Sequence, residues 1–353
     1  MELFDFDDIV IQPSVLSPIR TRKVINARYG DGMLPLLTAP MDTVIDQKNF
    51  KLFAGNGILP VLPRIKNPNE EWIDTGMFLS YSLEDFERIF LSSTPRVPED
   101  VSMMVLIDVA NGHMEDLYRA AKNAKLKYGK SMTLMVGNVA NPETFVSYCR
   151  AGVDYVRIGI GNGGGCLTTV QTGVGYPMAS LITECHQLRS LMDTQSKRTK
   201  IVADGGFKKY SDIIKALALG ADYVMLGSIL NKCLESCGET THETDTLIKE
   251  DVKIDQYGQL ALELFNEGVP LYKVFRGMST KDVQKAWGKS ELTTSEGVVK
   301  RHQVEYTING WTHNFESYLK SAMSYTASKT LHDFIGKVRY NRITMNSFNR
   351  FNK

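Results

Sequence analysis

The chain is predicted to fold as an α/β protein, a (β/α)₈ barrel, and three observations carry that expectation. Short apolar runs alternate with amphipathic stretches along most of the 353 residues. A glycine repeatedly stands where a helix should stop and a strand begin, as in Cys149-Arg-Ala-Gly152-Val-Asp-Tyr-Val-Arg-Ile-Gly159 and Leu217-Ala-Leu-Gly220-Ala-Asp-Tyr-Val-Met-Leu-Gly227, which nearly repeat one another. Polar residues and glycines then follow the apolar runs, as they do in the loops at the C-terminal face of a parallel barrel.

The elements follow in order. Leu34 to Ala39 is a first strand, apolar on both faces as a strand of a doubly covered parallel sheet must be. Gly55 and Gly57 end a helix and lead into Ile58-Leu-Pro-Val-Leu62, while Met77 to Ser80 is the weakest candidate. Met103 to Val109, Met132 to Val136, the run up to Ile158, Lys200 to Ala203 and the run up to Leu226 complete seven good strands and one weak one. Eight units favour closure, although the count alone also fits a doubly wound sheet. Residues 1–353 are expected to form a single catalytic domain. Within it, 235–268 reads as a charged insertion with no clear unit, 273–306 as a flap-like segment bearing site residues, and 337–353 as a solvated basic arm or subunit contact.

Composition narrows the function. Forty-one basic and 40 acidic residues leave a net charge of +1, so no global field recruits nucleic acid or an anionic membrane. The N-terminal Met-Glu-Leu-Phe-Asp-Phe-Asp-Asp has no apolar core segment and no run approaches membrane-spanning length, which predicts a soluble, cytoplasmic protein. Five cysteines at 149, 166, 185, 233 and 237 show no framework spacing, which suits a reducing compartment. Cys233 and Cys237 lack further ligands at metal spacing and are expected to be structural.

One cysteine differs. Gly159-Ile-Gly161-Asn-Gly163-Gly-Gly-Cys166-Leu-Thr168 places five glycines in seven residues ahead of a thiol, so the backbone can curl around a ligand and nothing screens the sulfur. No Cys-x-x-Cys accompanies it, which favours attack on an electrophilic carbon over disulfide exchange, and Thr168 lies near enough to bond or relay a proton. Asp204-Gly205-Gly206 and Gly227-Ser228 end the last two strands, the pair of loops that holds phosphate in many barrels. Asp204 has the acceptor-only carboxylate that suits sugar hydroxyls, and Ser211 is expected to cap the next helix. Gly277-Met278-Ser279 and Ser295-Glu296-Gly297 flank a polar stretch, and Glu296 between small residues can enter a pocket as acid or base.

Phe4-Asp-Phe-Asp-Asp-Ile-Val-Ile-Gln-Pro13, Pro40-Met-Asp42-Thr-Val44, Asp108-Val-Ala-Asn-Gly112, the Cys166 loop, Asp204-Gly-Gly206 and Ser295-Glu-Gly297 resemble, in order, the IMP dehydrogenase and GMP reductase family. Asp108 to Gly112, Thr172-Gly-Val-Gly-Tyr-Pro177 and Gly277 to Ser279 resemble the GMP reductase branch, and neither a CBS insertion nor the arginine-tyrosine flap pair of dehydrogenases is evident. The resemblance implies a thiolate at Cys166 that adds to purine C2, with Thr168 and Glu296 handling protons, and hydride from NADPH that converts GMP to IMP with release of ammonia. It places the nucleotide against Asp204, Gly205, Gly206, Gly227, Ser228, Gly277, Met278, Ser279, Ser295 and Gly297, and the dinucleotide against Arg64, Asp108, Val109 and Ala110. It further implies potassium on the carbonyls of Gly161, Gly163 and Cys166, and a homotetramer. The alternatives are an IMP dehydrogenase, which Ala39-Pro40-Met-Asp resembles, or a purine-nucleotide-binding barrel without catalysis. Two departures are plain: Asn162, Gly164 and Gly165 where the family commonly has Gly-Pro-Gly-Ser-Val-Cys, and Thr169 where reductases carry arginine.

Overall fold

The computed structural model describes residues 2–64, 76–92, 102–164, 166–193, 198–243, 251–254, 259–277, 280 and 297–351. Eight parallel strands form one sheet: β1 (Leu36–Thr38), β2 (Val61–Leu62), β3 (Phe78–Tyr81), β4 (Met103–Asp108), β5 (Met132–Val139), β6 (Tyr155–Ile158), β7 (Lys200–Asp204) and β8 (Tyr223–Leu226). Each pairs with its sequence neighbour from β2 to β8, β8 returns to pair with β1, and a parallel bridge between Leu37 and Leu59 closes the ring. The weakest expected strand, Met77 to Ser80, is β3.

Alternation along each strand separates two cores. Leu37, Val61, Phe78, Leu106, Met135, Val202 and Met225 fill the barrel, whereas their neighbours Leu36, Leu62, Leu79, Ile107, Val136, Ala203 and Leu226 pack under the outer helices. The helices present matching stripes. Leu117, Ala120, Ala121, Ala124 and Tyr128 are the buried positions of Glu115–Tyr128, at helical spacing. Gly152 (φ +79°) follows the helix Pro142–Arg150, and Gly220 (φ +122°) ends Tyr210–Leu219, as their place ahead of β6 and β8 leads one to expect.

Three local expectations change. Ser211 does not cap its helix: Lys209 holds that position, and the Asp212 carboxylate accepts the N–H groups of Lys208 (2.9 Å) and Lys209 (3.1 Å). The stretch 235–268 does contain regular elements. Strands β9 (Thr240–Glu243) and β10 (Asp251–Ile254) form an antiparallel pair, and β9 also pairs with β11 (Leu271–Arg276), which pairs with β12 (Val299–Gln303). This four-stranded accessory sheet is legible only once distant strands meet. The basic tail is docked as well, with Tyr340–Arg342 antiparallel to Ile9–Ile11 and Arg342 over the Phe4 ring.

Candidate active site

The period-two rule that fills the barrel with apolar side chains also builds the floor of a cavity. Two residues beyond the inward Leu106, Tyr155 and Val202 stand Asp108, Arg157 and Asp204, on the same faces and at the C-terminal ends of their strands. Arg157 joins both carboxylates, with Nη1 2.7 Å from Asp108 Oδ1 and Nη2 2.9 Å from Asp204 Oδ2. Burial by itself would lower its pKa, but the two carboxylates overcome that effect and raise it. Asn138 Nδ2 donates to the same Asp204 oxygen at 2.8 Å, so both described bonds to this carboxylate land on Oδ2. Arg64 closes the other end, with Nε 3.3 Å from Asp108 Oδ2 and Nη2 bonded to the Asp108 carbonyl. Gly137 on β5 lies beside Arg157, and a Cβ there would fall 2.4 Å from the Arg157 Cβ and 2.6 Å from its carbonyl oxygen, so the close approach of the two backbones requires a glycine.

Above this floor lies a cavity of about 460 Å³. Cys166, Thr168, Gly161 and Gly163 line one wall, and Gly205, Gly206, Gly227 and Ser228 line the adjoining one. The two walls touch, for a Cβ on Gly205 (φ +98°) would fall 2.9 Å from the Gly163 nitrogen. Cys166 Sγ is half-buried and donates to Thr168 Oγ1 at 3.2 Å. Thr168 opens the short helix Thr168–Thr172, which fixes the hydroxyl beside the sulfur. The other cysteines serve no such role. Burial pushes the Cys149 thiol up to about 11 and holds Cys185, Cys233 and Cys237 above their ordinary range.

The accessory sheet supplies the roof. Phe275 and Gly277 line the cavity, and Arg276 clamps Asp42 through Nε–Oδ1 (3.1 Å) and Nη2–Oδ2 (2.5 Å), which ties β11 to the loop after β1. Gly297 forms an antiparallel bridge with Cys166. Met278, Ser279, Ser295 and Glu296 lie outside the described residues. Arg64, Asp108, Val109 and Ala110 also line the cavity, and Ala110 is exposed.

Carbonyls of the loop expected to hold potassium accept hydrogen bonds. The Gly163 carbonyl accepts the Cys166 N–H at 2.9 Å, and the neighbouring Gly164 carbonyl accepts Lys300 Nζ at 2.8 Å. An ammonium thus lies on the carbonyl next to that of Gly163, one of the three expected to hold the ion. Arg157, Asn138 and Lys300 are site-lining or site-contacting residues that motif reading missed. For Arg157 a signal exists: it is a charge at an inward position of an otherwise apolar strand.

Comparison with known proteins is consistent with this geometry. Residues 95–351 match the model of the IMP dehydrogenase / GMP reductase domain. An inosine-5'-monophosphate dehydrogenase of Chlorobaculum parvum is 33% identical over 242 residues, 68% of this chain and 45% of that protein, so the chain spans about half the length of that relative. GMP reductase 2 of Homo sapiens is 27% identical over 96% of this chain and 94% of its own length. A GMP reductase of Staphylococcus epidermidis is 30% identical over 71% of this chain and 78% of its own. Among the described residues no helix is long and apolar enough to cross a membrane.

Proposed function

The chain belongs to the IMP dehydrogenase/GMP reductase family, and from that premise we propose that it is a GMP reductase, which converts GMP to IMP and ammonia with NADPH. The observation that carries this reading is the half-buried Cys166 thiol, 3.2 Å from the Thr168 hydroxyl, in a cavity that ends on Asp204 and the two glycine loops. The match to GMP reductase 2 along nearly the whole of both chains supports the reductase over the dehydrogenase.

Each residue has work to do. Backbone N–H groups of Gly205, Gly206, Gly227 and Ser228 hold the nucleotide phosphate, and Asp204 accepts the ribose hydroxyls. Arg157 and Asn138 hold the Asp204 carboxylate in place through Oδ2. The Cys166 thiolate adds to purine C2, and the exocyclic amine takes up a proton and leaves as ammonia. Thr168 and Glu296 handle that proton, and the C2–S thioimidate remains. Bound NADPH supplies the hydride that C2 accepts as the C2–S bond breaks, which frees the thiolate and yields IMP. Arg64, Asp108, Val109 and Ala110 would hold the dinucleotide, with the Arg64 guanidinium suited to its phosphates.

The test is to mix the protein with GMP and NADPH, follow the nicotinamide absorbance and assay ammonia. One ammonia per NADPH oxidised is expected. Oxidation of IMP to XMP with NAD, and no ammonia from GMP, would identify a dehydrogenase instead.

A further inference from the structure

Strand β12 enters the site with one side chain that no motif explains. In its antiparallel register with β11, Lys300 faces Phe275 and Arg301 faces Val274. Directly opposed residues of such a pair point to one face of the sheet, and Phe275 lines the cavity, so Lys300 leaves the sheet on the cavity side. Arg301 leaves on the other, where it bonds Thr241 Oγ1 at 2.7 Å and lies over the Tyr272 ring. Lys300 Nζ reaches the Gly164 carbonyl at 2.8 Å, although the two residues are 136 apart in the chain. Three residues earlier, Gly297 bridges Cys166, so β12 and the residues just before it hold the same loop at two points.

Among the described residues, few side chains bond that loop. Gly161, Gly163 and Gly164 have no side chains, Asn162 Nδ2 donates to the Tyr176 carbonyl at 3.1 Å, and Cys166 N–H turns back to Gly163. Among the described residues, Lys300 is the charged side chain that bonds the loop backbone. An ammonium has the charge of a monovalent cation and three N–H groups to offer carbonyl oxygens. We infer that Lys300 is a positioning residue, the built-in cation of the Cys166 loop, so that this loop keeps its shape without a dissolved monovalent ion. The inference rests on the proposed reaction only for its consequence in turnover.

The test therefore reads the thiol directly. The full chain, Lys300→Ala and Lys300→Arg are treated with iodoacetamide in KCl or in choline chloride of equal ionic strength, and alkylation of Cys166 is followed by mass spectrometry. The parent and Lys300→Arg are expected to react at the same rate in both salts. Lys300→Ala should react about fivefold faster in choline, the size of effect set by an exposed charged hydrogen bond, and should return toward the parent rate in KCl. A parent rate that itself changes about fivefold between the salts would overturn the inference, as would an alanine variant that matches the parent in choline or one that KCl fails to restore. Folding is checked by thermal unfolding of each variant. GMP turnover by the parent should likewise be the same in KCl and choline. If the protein does not reduce GMP at all, the alkylation rates still decide the role of Lys300, and the two failures remain distinct.

Discussion

The barrel mouth and the accessory sheet each bury one cation, and the two behave in opposite ways. Arg157 is 7% exposed and bonds two carboxylates, Asp108 and Asp204, so it stays charged despite its burial. Lys273 on β11 is fully buried and bonds only neutral oxygens, the Ser236 carbonyl and Thr240 Oγ1, both at 2.7 Å. Burial lowers its pKa to about 8, and nearby Cys237, Cys233 and Glu235 offset this only in part. Burial is thus similar, and the partners decide the sign. A buried charge with matched opposite charges is a fixed part of the site, whereas one with dipoles alone is a titratable group within reach of physiological pH.

Four substitutions break or sharpen this contrast. The largest effect is expected for Cys166→Ala, which takes the reactive atom from the cavity while both buried cations remain. Turnover should fall by more than about a thousandfold, and the nucleotide should still bind, because the groups proposed to hold it lie on other loops. Titration calorimetry with GMP, together with the turnover assay, checks this; turnover near the parent rate would exclude covalent catalysis at Cys166.

Arg157→Met tests the paired cation. Removing the shared partner of a buried ion network leaves Asp204 without its cation and Asp108 with Arg64 alone, so stability should drop by about 3–5 kcal/mol. Urea unfolding measures it. A loss below about 1 kcal/mol would mean that the lattice contributes little to the fold.

Lys273→Met tests the unpaired one. The folded pKa lies below the unfolded value of 10.5, so the contribution from this group is present above 10.5 and lost as pH falls through about 8. The stability of the parent relative to the variant should therefore rise by about 2 kcal/mol from about pH 7 to about pH 9.5. Thermal unfolding of both proteins across that range reads the difference, and parallel curves would contradict it.

Asp204→Ala has an effect of similar size, read in nucleotide binding. The loss of a charged acceptor for a sugar hydroxyl costs about 1.5–3 kcal/mol, which should raise KM for the nucleotide by about tenfold to a hundredfold. The preference for ribose over deoxyribose should shrink in parallel. Equal discrimination in variant and parent would confine Asp204 to its role beside Arg157.

Much of the fold is legible along the chain because a buried parallel strand announces itself locally. The two glycine-ended units before β6 and β8 are read correctly, and even the weak run at Met77 finds its place as β3. The Cys166 loop is equally plain, since five glycines before a thiol have few structural explanations. The stretch 235–268 is not legible, since β9, which carries β10 on one edge, acquires its second partner in β11 only after the chain has returned. Ser211 misleads for a smaller reason: the helix starts at Tyr210, before it, where the Asp212 carboxylate takes the N–H groups of Lys208 and Lys209.

By itself the sequence determines the periodicities, and with them eight strands, their inward faces and the loop that carries Cys166, because these depend on neighbours two to four residues apart. The tertiary structure alone decides which charges meet. Asp108, Arg157 and Asp204 are separated by 49 and 47 residues, and Lys300 lies 136 from Gly164, so only closure of the barrel and docking of the accessory sheet bring them within hydrogen-bond distance. The energies of such contacts depend on the distances and burial that the closed fold sets, and no local pattern in the chain records either quantity.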